Sequence, residues 1–277
     1  MLRLAVIGDV HFSTAGPRDS SILLHHSRAI LETALEQIAR RSPPPDLLIQ
    51  IGDMVDGSGQ TPEETRADLE RAVAAFDQTG LRWTWILGNH DVGPCGGRKR
   101  VLPHLKRPLS YGELVFGGDV LLLLDSAIEE VFGRVDAGQQ AWLEQALARH
   151  SKRRIFVFLH HVFDLSFEDD MYIESGGAIR ALLRGSPAVK ALFMGHAHVN
   201  RIDTVGGLHE IMTCALSVWP LMFRWVEIEP DRLRIQTERV AVTPEVEAEA
   251  LAAYKANPHS WRTEPRDTDL AADLPLR

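Results

Sequence analysis

Five polar clusters in this chain contain the residue types that could do chemistry, and each directly follows a short apolar run. They combine carboxylate, carboxamide and imidazole side chains. The clusters are Asp9-Val10-His11, Gly52-Asp53, Gly88-Asn89-His90-Asp91, His160-His161 and Gly195-His196-Ala197-His198. In an α/β sheet, loops at the carboxyl ends of the strands bring side chains that are distant in sequence into one crevice. We therefore expect the five clusters to meet in one site.

Seven of these side chains carry donor atoms suited to a metal site: Asp9, His11, Asp53, Asn89, His160, His196 and His198. Mixed oxygen and imidazole donors favour Mn, Fe, Zn or Co over Ca or Mg, and the lack of cysteine in the set argues against a purely soft-metal site. Seven ligands exceed the needs of one ion. Two ions about 3.5–4 Å apart that share a bridging carboxylate would use them all, and such a site activates water for phosphoester hydrolysis.

The elements that must position these clusters alternate between short apolar runs and longer segments of helical period, a pattern typical of a layered α/β domain. The apolar runs predict strands that end directly before the clusters, at residues 2–7, 47–51, 83–87, 155–159 and 189–194. At three of these junctions a glycine precedes the polar residue, namely Gly8, Gly52 and Gly88. Glycine permits a tight turn or a close approach of the backbone to a ligand.

Capping residues and turn residues predict the connections between the strands. The segment Thr61-Pro62-Glu63-Glu64 is a capping box with proline at the first helical position. Asp136, three residues before Gln139, begins another helix, and Gly117-Gly118-Asp119 indicates a hairpin turn.

The pattern changes after His198, where apolar runs at 211–213, 223–228 and 233–237 predict strands and suggest a second sheet. A short helix is expected from Thr243 to Ala256. The remaining residues, 259–277, are expected to form a docked or frayed tail.

The five clusters, complete and in this order, resemble the signature of the calcineurin-like metallophosphoesterases. The motifs that carry the resemblance are Asp9-x-His11, Gly52-Asp53-x-x-Asp56, Gly88-Asn89-His90-Asp91, His160-His161 and Gly195-His196-x-His198, within a region of roughly 240 residues. The resemblance implies a layered α-β-β-α sandwich of two mixed sheets with flanking helices. It also implies a metallophosphoesterase domain over residues 1–240, with the helix and tail of residues 241–277 packed on or extending from that domain.

The resemblance assigns the seven donors to two ions. One ion would be held by Asp9, His11 and His198, the other by Asn89, His160 and His196, and Asp53 would bridge them. A hydroxide that bridges the two ions would attack phosphorus in line.

His90 is the implied catalytic side chain, since it would contact the substrate phosphate and stabilise the transition state or protonate the leaving oxygen. The chemistry of imidazole beside a dimetal site favours the same role near pH 7. Asp91 is expected to orient His90 and is counted with it as catalytic. Asp56 is expected to hold the loop after Asp53.

Substrate contacts are expected from Asn89, His90, His161, Arg98 and Arg100. Only one of two adjacent residues on an extended strand can point into the site, so we assign His160 rather than His161 to the metal. Arg98 and Arg100 lie in a basic segment, residues 93–108, that follows His90. Arginine suits bidentate phosphate recognition, and a solvated basic loop is the alternative.

Two further segments bear on the pocket. Residues 163–174 carry four acidic side chains and are expected to contribute to a lid. Met171-Tyr172 and Trp219-Pro220 could line the pocket, although core or surface packing is favoured for both pairs.

The favoured function is hydrolysis of a phosphodiester or nucleotide-type substrate, because the basic segment could hold groups beyond the scissile phosphate. A phosphomonoesterase, including a phosphoprotein phosphatase, is the first alternative, and a nucleotide pyrophosphatase is the second. Many phosphodiesterase-like members of the family have proline after the paired histidines, where this chain has Val162-Phe163. That departure leaves open whether this chain resembles the phosphodiesterase-like branch of the family. A non-catalytic interaction scaffold is less favoured because no ligand is missing.

Composition narrows the class of protein. The 277 residues carry a formal net charge of −8, which argues against a general nucleic-acid-binding surface. No apolar stretch reaches the roughly 20 residues needed to cross a bilayer, and Met1 to Leu4 lead directly into a predicted strand without a signal-peptide pattern. We expect a cytoplasmic protein whose partner is a small anionic phosphoester. Cys95 and Cys214 do not indicate a disulfide framework.

Overall fold

The computed structural model describes residues 1–16, 21–130, 132–163, 172–174, 176–257 and 265–276. In chain order the strands are β1 (Leu2–Ile7), β2 (Leu47–Ile51), β3 (Trp83–Ile86), β4 (Gly112–Phe116), β5 (Asp119–Leu123), β6 (Arg154–Phe158), β7 (Val189–Met194), β8 (Arg201–Val205), β9 (Leu208–Met212), β10 (Met222–Ile228), β11 (Arg232–Arg239) and β12 (Ala271–Pro275). The α-helices are α1 (Ser27–Ala39), α2 (Pro62–Gln78), α3 (Asn89–Val92), α4 (Arg98–Val101), α5 (Ala137–Arg149), α6 (Gly176–Arg184), α7 (Pro244–Ala256) and α8 (Asp267–Leu270).

The strands form two six-stranded mixed sheets. The first has the order β12-β11-β10-β1-β2-β3, in which β1, β2 and β3 run parallel. The second has the order β4-β5-β6-β7-β9-β8, in which β5, β6, β7 and β9 run parallel. The carboxyl ends of neighbouring parallel strands lie at the same edge of each sheet, so the loops after β1, β2 and β3, and those after β6 and β7, are neighbours in space.

The two sheets pack face to face through an apolar layer. Leu4 and Ile49 of the first sheet and Phe158 and Phe193 of the second are fully buried in it. The rings of Phe158 and Phe193 stack with their centres 4.7 Å apart. Burial of such side chains contributes about 1.5–3 kcal/mol each, which holds the strand ends at fixed positions.

Helices cover the outer faces. Helices α1, α2 and α7 contribute to the core on the outside of the first sheet, and α5 and α6 do so on the second. The capping box at Thr61 forms as predicted, since its hydroxyl accepts a hydrogen bond from the Glu64 amide at 3.3 Å. Asp136 accepts the equivalent bond from Gln139 at 2.8 Å. The four layers are the predicted α-β-β-α sandwich.

The prediction that the strands after His198 form a sheet of their own is wrong. Strands β8 and β9 extend the second sheet beyond β7, whereas β10 and β11 extend the first sheet beyond β1. The chain crosses between the sheets after Met212, and β10 and β9 cover the edges that β1 and β7 would otherwise expose.

The C-terminal residues pack on both the helical layer and the first sheet. Ala250 of α7 is buried in the outer core, and β12 pairs antiparallel with β11. These contacts support the proposal that residues 241–277 belong to the domain formed by residues 1–240. None of the helices in the described part of the chain combines the length and the apolar character needed to cross a membrane.

A buried arginine joins the two sheets at this end of the molecule. Arg224 of β10 is fully buried and donates to the carbonyl oxygen of Met212 at 2.6 Å, to that of Asp269 at 2.9 Å and to the Thr237 hydroxyl at 2.8 Å. Burial lowers the pKa of its guanidinium to about 10. Its partners lie on β9, α8 and β11.

We expect Arg224→Met to lower the free energy of unfolding by about 2–4 kcal/mol, because the buried carbonyl oxygens of Met212 and Asp269 and the partly buried Thr237 hydroxyl lose their donor. Arg28→Met on α1 is the matched control, since Arg28 is 65% exposed and forms an ion pair with Glu32 at 2.8 Å. Its cost should be below about 0.5 kcal/mol. Urea unfolding of the two variants measures the difference in unfolding free energy. Equal midpoints would show that the contacts of Arg224 do not stabilise the packing of the two sheets.

Candidate metal centre

The predicted ligands lie in the loops that follow the parallel strands. Asp9 and Asp53 come two residues after the ends of β1 and β2, and His160 and His196 come two residues after the ends of β6 and β7. Backbone contacts lock these loops together. The His196 amide donates to the Asp9 carboxylate at 2.8 Å, which joins the two sheets at their shared edge.

The first group of side chains contains Asp9, His11, Asp53 and His198. One potential ligand atom from each lies within 4.8 Å of the others. The Nε2 atoms of His11 and His198 are 3.0 Å apart, and the Nε2 of His198 is 3.6 Å from an Asp9 oxygen. Nitrogen and oxygen donors that converge in this way fit one cation at their centre.

The second group contains His160, His161 and His196, whose nitrogens also lie within 4.8 Å of one another. The Oδ1 of Asn89 is 3.3 Å from the Nε2 of His160. The expectation that only one of the adjacent histidines faces the site is wrong, because β6 ends at Phe158 and the pair lies in a bend. The alternation of an extended strand therefore does not apply to them.

Asp53 stands between the two groups. Its Oδ2 lies 3.3 Å from the Nε2 of His160 and 3.8 Å from the Nε2 of His11. Its Oδ1 accepts a hydrogen bond from the His90 amide at 2.9 Å. One carboxylate thus faces both sets of potential ligands.

The hydrogen bonds on the far sides of the imidazoles leave nitrogen lone pairs that face the site. The Nδ1 of His160 is 2.9 Å from the Ile51 carbonyl oxygen, which can only accept a hydrogen bond, so Nδ1 carries the proton. His11 presents its Nδ1 to the Asp56 carboxylate at 3.1 Å. A ring held in this way offers Nε2 as a metal ligand when that nitrogen carries no proton.

Unpartnered buried atoms also fit bound metal. Within the described residues, the Oδ2 of Asp9 and the Nε2 of His196 are buried without a hydrogen-bond partner. A buried polar atom without a partner costs about 1–3 kcal/mol, and coordination would remove that cost. The residues therefore fit a cation-binding centre in three respects. Their donor atoms are of suitable types, these atoms face the site, and two of them have no hydrogen-bond partner among the described residues.

The ionisable groups perturb one another strongly. Burial raises the pKa of Asp9 to about 6, with the charge of Asp53 adding to the effect of burial and the charge of His160 opposing it. Burial also opposes ionisation of Asp53, but the neighbouring histidines, above all His160, outweigh it and hold its pKa well below the ordinary value. Burial and the charge of His11 together lower the pKa of His198 to about 3. At His160, burial opposes the charged form, but the charges of Asp53 and Asp9 outweigh it and raise its pKa to about 9. An ionised Asp53 and a neutral His198 suit metal binding, whereas His160 must lose a proton before it can act as a ligand.

His90 is oriented by Asp56 rather than by Asp91. The Nδ1 of His90 is 2.9 Å from the Asp56 carbonyl oxygen. The Asp91 carboxylate instead accepts hydrogen bonds from the amides of Gly88 and Met54, both at 2.8 Å. Asp91 therefore holds the loops after β2 and β3 in register, and Asp56 contacts both His90 and His11. These contacts with backbone groups carry no signal in the sequence, because they arise from the path of the loops after β2 and β3.

The backbone is strained where several of these residues lie. His11, Asp53, His196 and His198 have φ between 48° and 63°, in the left-handed region. Side chains other than glycine rarely adopt this conformation, although aspartate and histidine tolerate it better than most. Such strain clusters at functional sites.

Gly88 permits the closest packing in the centre. A Cβ atom at this position would lie 2.3 Å from the Asp53 backbone nitrogen and 2.1 Å from its Oδ1. Glycine was expected here to allow a tight turn or a close approach of the backbone to a ligand. What it allows in the structure is a close approach to Asp53, the proposed bridging residue.

We expect Gly88→Ala to displace Asp53, with a loss of about 1–3 kcal/mol in unfolding free energy from overpacking and a loss of bound metal. Gly118→Ala is the control, since a Cβ at Gly118 meets no heavy atom within 4 Å. Urea unfolding and metal analysis test both variants. Full metal content in Gly88→Ala would show that Asp53 can shift without consequence.

The basic segment is used mainly for internal contacts. Arg98 pairs with the Asp125 carboxylate and donates to the Ala127 carbonyl oxygen. Arg107 donates to the Trp85 carbonyl oxygen at 2.6 Å. Arg98 was expected to contact substrate, but its guanidinium instead fastens the loop after β5. Arg100 is exposed, and its contact with substrate stays a prediction.

That fastened loop carries a residue that the sequence did not single out. The Ser126 hydroxyl lies 2.8 Å from the Nδ1 of His161. Arg98 therefore acts on the site at a distance, by holding the segment that orients His161. A lone serine after a strand carries no sequence signal for this contact.

The remaining predictions around the pocket have mixed outcomes. Trp219 packs against the outer core beneath Arg239, whose guanidinium carbon is 4.6 Å from its ring centre, so core packing was the better interpretation. Most of the expected lid at 163–174, including Met171, lies outside the described residues. Cys95 and Cys214 are both buried and free.

Comparison with known proteins agrees with this geometry. The model of a family described as calcineurin-like phosphoesterase matches residues 2–200. The serine/threonine-protein phosphatase CPPED1 of Mus musculus is 29% identical over 205 residues, which are 68% of this chain and 64% of that protein. A cAMP/cGMP dual specificity phosphodiesterase of Mycobacterium tuberculosis is 27% identical over 181 residues, which are 63% of this chain and 55% of that protein. The chain therefore spans less than two thirds of the length of these relatives.

A solved structure shows the same fold. The crystal structure of a dimetal phosphatase from Danio rerio superposes with a TM-score of 0.73 at 16% identity and covers 85% of this chain and 95% of that one. At this identity the likeness concerns the fold alone.

Proposed function

Because this chain belongs to the calcineurin-like phosphoesterase family, we propose that it hydrolyses phosphate esters at a centre that holds two metal ions. The observation that carries the proposal is the position of Asp53, whose one carboxylate oxygen lies within 4 Å of histidines from both ligand groups. A shared carboxylate between two sets of nitrogen and oxygen donors is the arrangement of a two-metal hydrolytic site.

The proposed ligands follow the two groups. Asp9, His11 and His198 would hold one ion, Asn89, His160 and His196 the other, with Asp53 common to both. The proximity of His161 makes it an additional candidate beside the second ion. Mn, Fe, Zn or Co suits this donor set. When bound, two such ions supply Lewis-acid activation of water and of the phosphate oxygens.

His90 is proposed to act on the substrate itself. Its side chain is 32% exposed, so a substrate can reach it. Since its Nδ1 faces the Asp56 carbonyl oxygen, its Nε2 is the atom free to donate. Burial lowers the pKa of His90, but the charges of Asp53 and Asp56 outweigh this and raise it above the ordinary value. A protonated Nε2 can donate to a phosphate oxygen or to the leaving oxygen.

A phosphodiester or nucleotide-type substrate is favoured within this proposal. The names of several relatives refer to cyclic nucleotide phosphodiesterases, whereas that of the Mus musculus relative refers to a protein phosphatase. The second name keeps a phosphomonoesterase as the alternative.

A substrate panel separates these options. The protein is stripped of metal by chelation, and Mn²⁺ is then returned. The rates of hydrolysis are compared for bis(p-nitrophenyl) phosphate, p-nitrophenyl phosphate, cyclic AMP and a nucleoside diphosphate sugar. Faster hydrolysis of the diesters supports the proposal, and faster hydrolysis of the monoester selects the alternative. No hydrolysis of either aryl ester would reject the enzymatic function.

Metal binding should also stabilise the fold, because the ligands converge only in the native state. Mn²⁺ at a concentration about 100 times its dissociation constant should raise the unfolding free energy by about 2.7 kcal/mol, or about 5–10 °C in Tm. Calorimetry of the chelated protein with and without Mn²⁺ measures this directly. An unchanged Tm at saturating Mn²⁺ would contradict the presence of a native metal site.

A further inference from the structure

A cavity of about 440 Å³ lies where the free edges of the two sheets separate, away from the metal centre. Edge strand β3 forms one wall, edge strand β4 forms the opposite wall, and the segment between α4 and β4 closes one side. None of the proposed metal ligands lines it. Its volume lies in the range of small-molecule sites, about 300–1,000 Å³.

Aromatic rings dominate the lining. Trp83, Trp85, Tyr111 and Trp142 all face the cavity, and the rings of Tyr111 and Trp142 lie 5.0 Å apart. The Trp85 indole nitrogen already donates to the His104 carbonyl oxygen at 3.3 Å. Flat, rigid rings around a space of this size favour a planar aromatic occupant.

The charges around the cavity are positive and incompletely neutralised. Arg107 lines it and donates to neutral acceptors, including Thr84 at 3.2 Å and Leu109 at 3.1 Å. Arg82 also lines it, and no carboxylate among the described residues forms an ion pair with its guanidinium, which rests 4.6 Å from the Phe116 ring centre.

The acidic residue in the lining does not offset these charges. Glu113 forms ion pairs with Arg149 at 2.7 Å and with His150 at 3.2 Å. Arg82 is exposed and so stands where the cavity meets solvent. An anionic group at that position would find the unused donors of its guanidinium.

We propose that this cavity is a second binding site, separate from the metal centre, for a small planar aromatic molecule that carries one acidic group. The ring system lies among Trp83, Tyr111 and Trp142, and the acidic group pairs with Arg82. The site requires neither metal nor phosphoesterase activity, so its test is independent of the proposed function.

The test uses 8-anilinonaphthalene-1-sulfonate, an aromatic anion with a planar naphthalene ring system, and the full metal-loaded chain under native conditions. We expect saturable binding of one molecule per chain, with energy transfer from tryptophan to the probe. Arg82→Met should weaken binding about tenfold, the equivalent of one charge-assisted hydrogen bond, and Arg82→Lys should restore part of it. Tyr111→Ala should weaken binding by removing one aromatic wall.

Two comparisons make the result decisive. The uncharged analogue N-phenyl-1-naphthylamine should bind more weakly than the sulfonate and should not respond to Arg82→Met. Arg28→Met on α1 should bind the sulfonate like the wild type, and the urea midpoint of each variant shows that it is folded. Absence of saturable binding, or sulfonate binding that is unchanged in both Arg82→Met and Tyr111→Ala, would overturn the proposal.

Discussion

Replacing Asp53 by alanine is expected to remove both metal ions and to reduce phosphoester hydrolysis by at least about a thousandfold, which corresponds to about 4 kcal/mol of transition-state stabilisation. The reason is geometric. Asp53 Oδ2 lies 3.3 Å from His160 and 3.8 Å from His11, one histidine from each ligand group. Loss of this carboxylate therefore affects both ions, whereas loss of any other ligand affects one.

Metal analysis after gel filtration measures the first effect, and hydrolysis of bis(p-nitrophenyl) phosphate measures the second. Asp231→Ala is the control, because Asp231 is 71% exposed in the turn before β11. That variant should keep both ions and full activity. Full metal occupancy in Asp53→Ala would show that the carboxylate does not bridge.

Replacing His90 by alanine is expected to keep both metals and to reduce turnover by about 10²–10⁴-fold, the range of general acid catalysis. The contact between the Nδ1 of His90 and the Asp56 carbonyl oxygen leaves Nε2 for the substrate, and His90 belongs to neither of the two proposed ligand groups. The loss should fall mainly on kcat. A protonated imidazole also predicts a decline of wild-type activity at alkaline pH, and this decline should be absent in the variant.

The control for the second variant is His150→Ala, at the C-terminal end of α5, where His150 pairs with Glu113 at 3.2 Å. It should retain wild-type turnover. If His90→Ala lost its metals, His90 would be a ligand rather than a proton donor. If the variant kept both metals and full turnover, His90 would not act as a general acid toward the leaving oxygen.

The assembly of the centre could be predicted from sequence because it follows from strand order. Asp9, Asp53 and Asn89 each follow a parallel strand of one sheet, and His160 and His196 follow neighbouring parallel strands of the other. Short apolar runs that end in polar residues identify such strand ends. The common edge then follows from the geometry of parallel sheets.

Contacts that depend on the path of irregular loops could not be predicted in this way. The bend after Phe158 places His161 beside His196, and the loop after Asp53 directs the carbonyl oxygen of Asp56 at His90. Neither contact follows from hydrophobic periodicity, because both lie outside regular elements. The pairing of β12 with β11 could not be predicted either. Ala271–Pro275 has little strand propensity, and its extended conformation depends on the pairing with β11.

The basic segment shows how a charge pattern can mislead when only one side of an interaction is visible. Arg98 and Arg107 belong to the basic segment that follows His90, and the position of that segment suggested contact with an anionic substrate. Their partners are the Asp125 carboxylate in the loop after β5 and the Trp85 carbonyl oxygen in β3, and the segment itself reveals neither.

His11, Asp53, His196 and His198 have left-handed backbone conformations. At these positions the residue that would favour thermal stability differs from the residue that the proposed metal binding needs. Each such residue costs of order 1–3 kcal/mol that glycine would largely avoid, yet each supplies a side chain that glycine lacks. A laboratory evolution experiment that rewards survival at high temperature alone would therefore drift toward glycine at these four positions and discard the proposed metal ligands. Any effort to stabilise this protein should hold these positions fixed and seek its gains elsewhere.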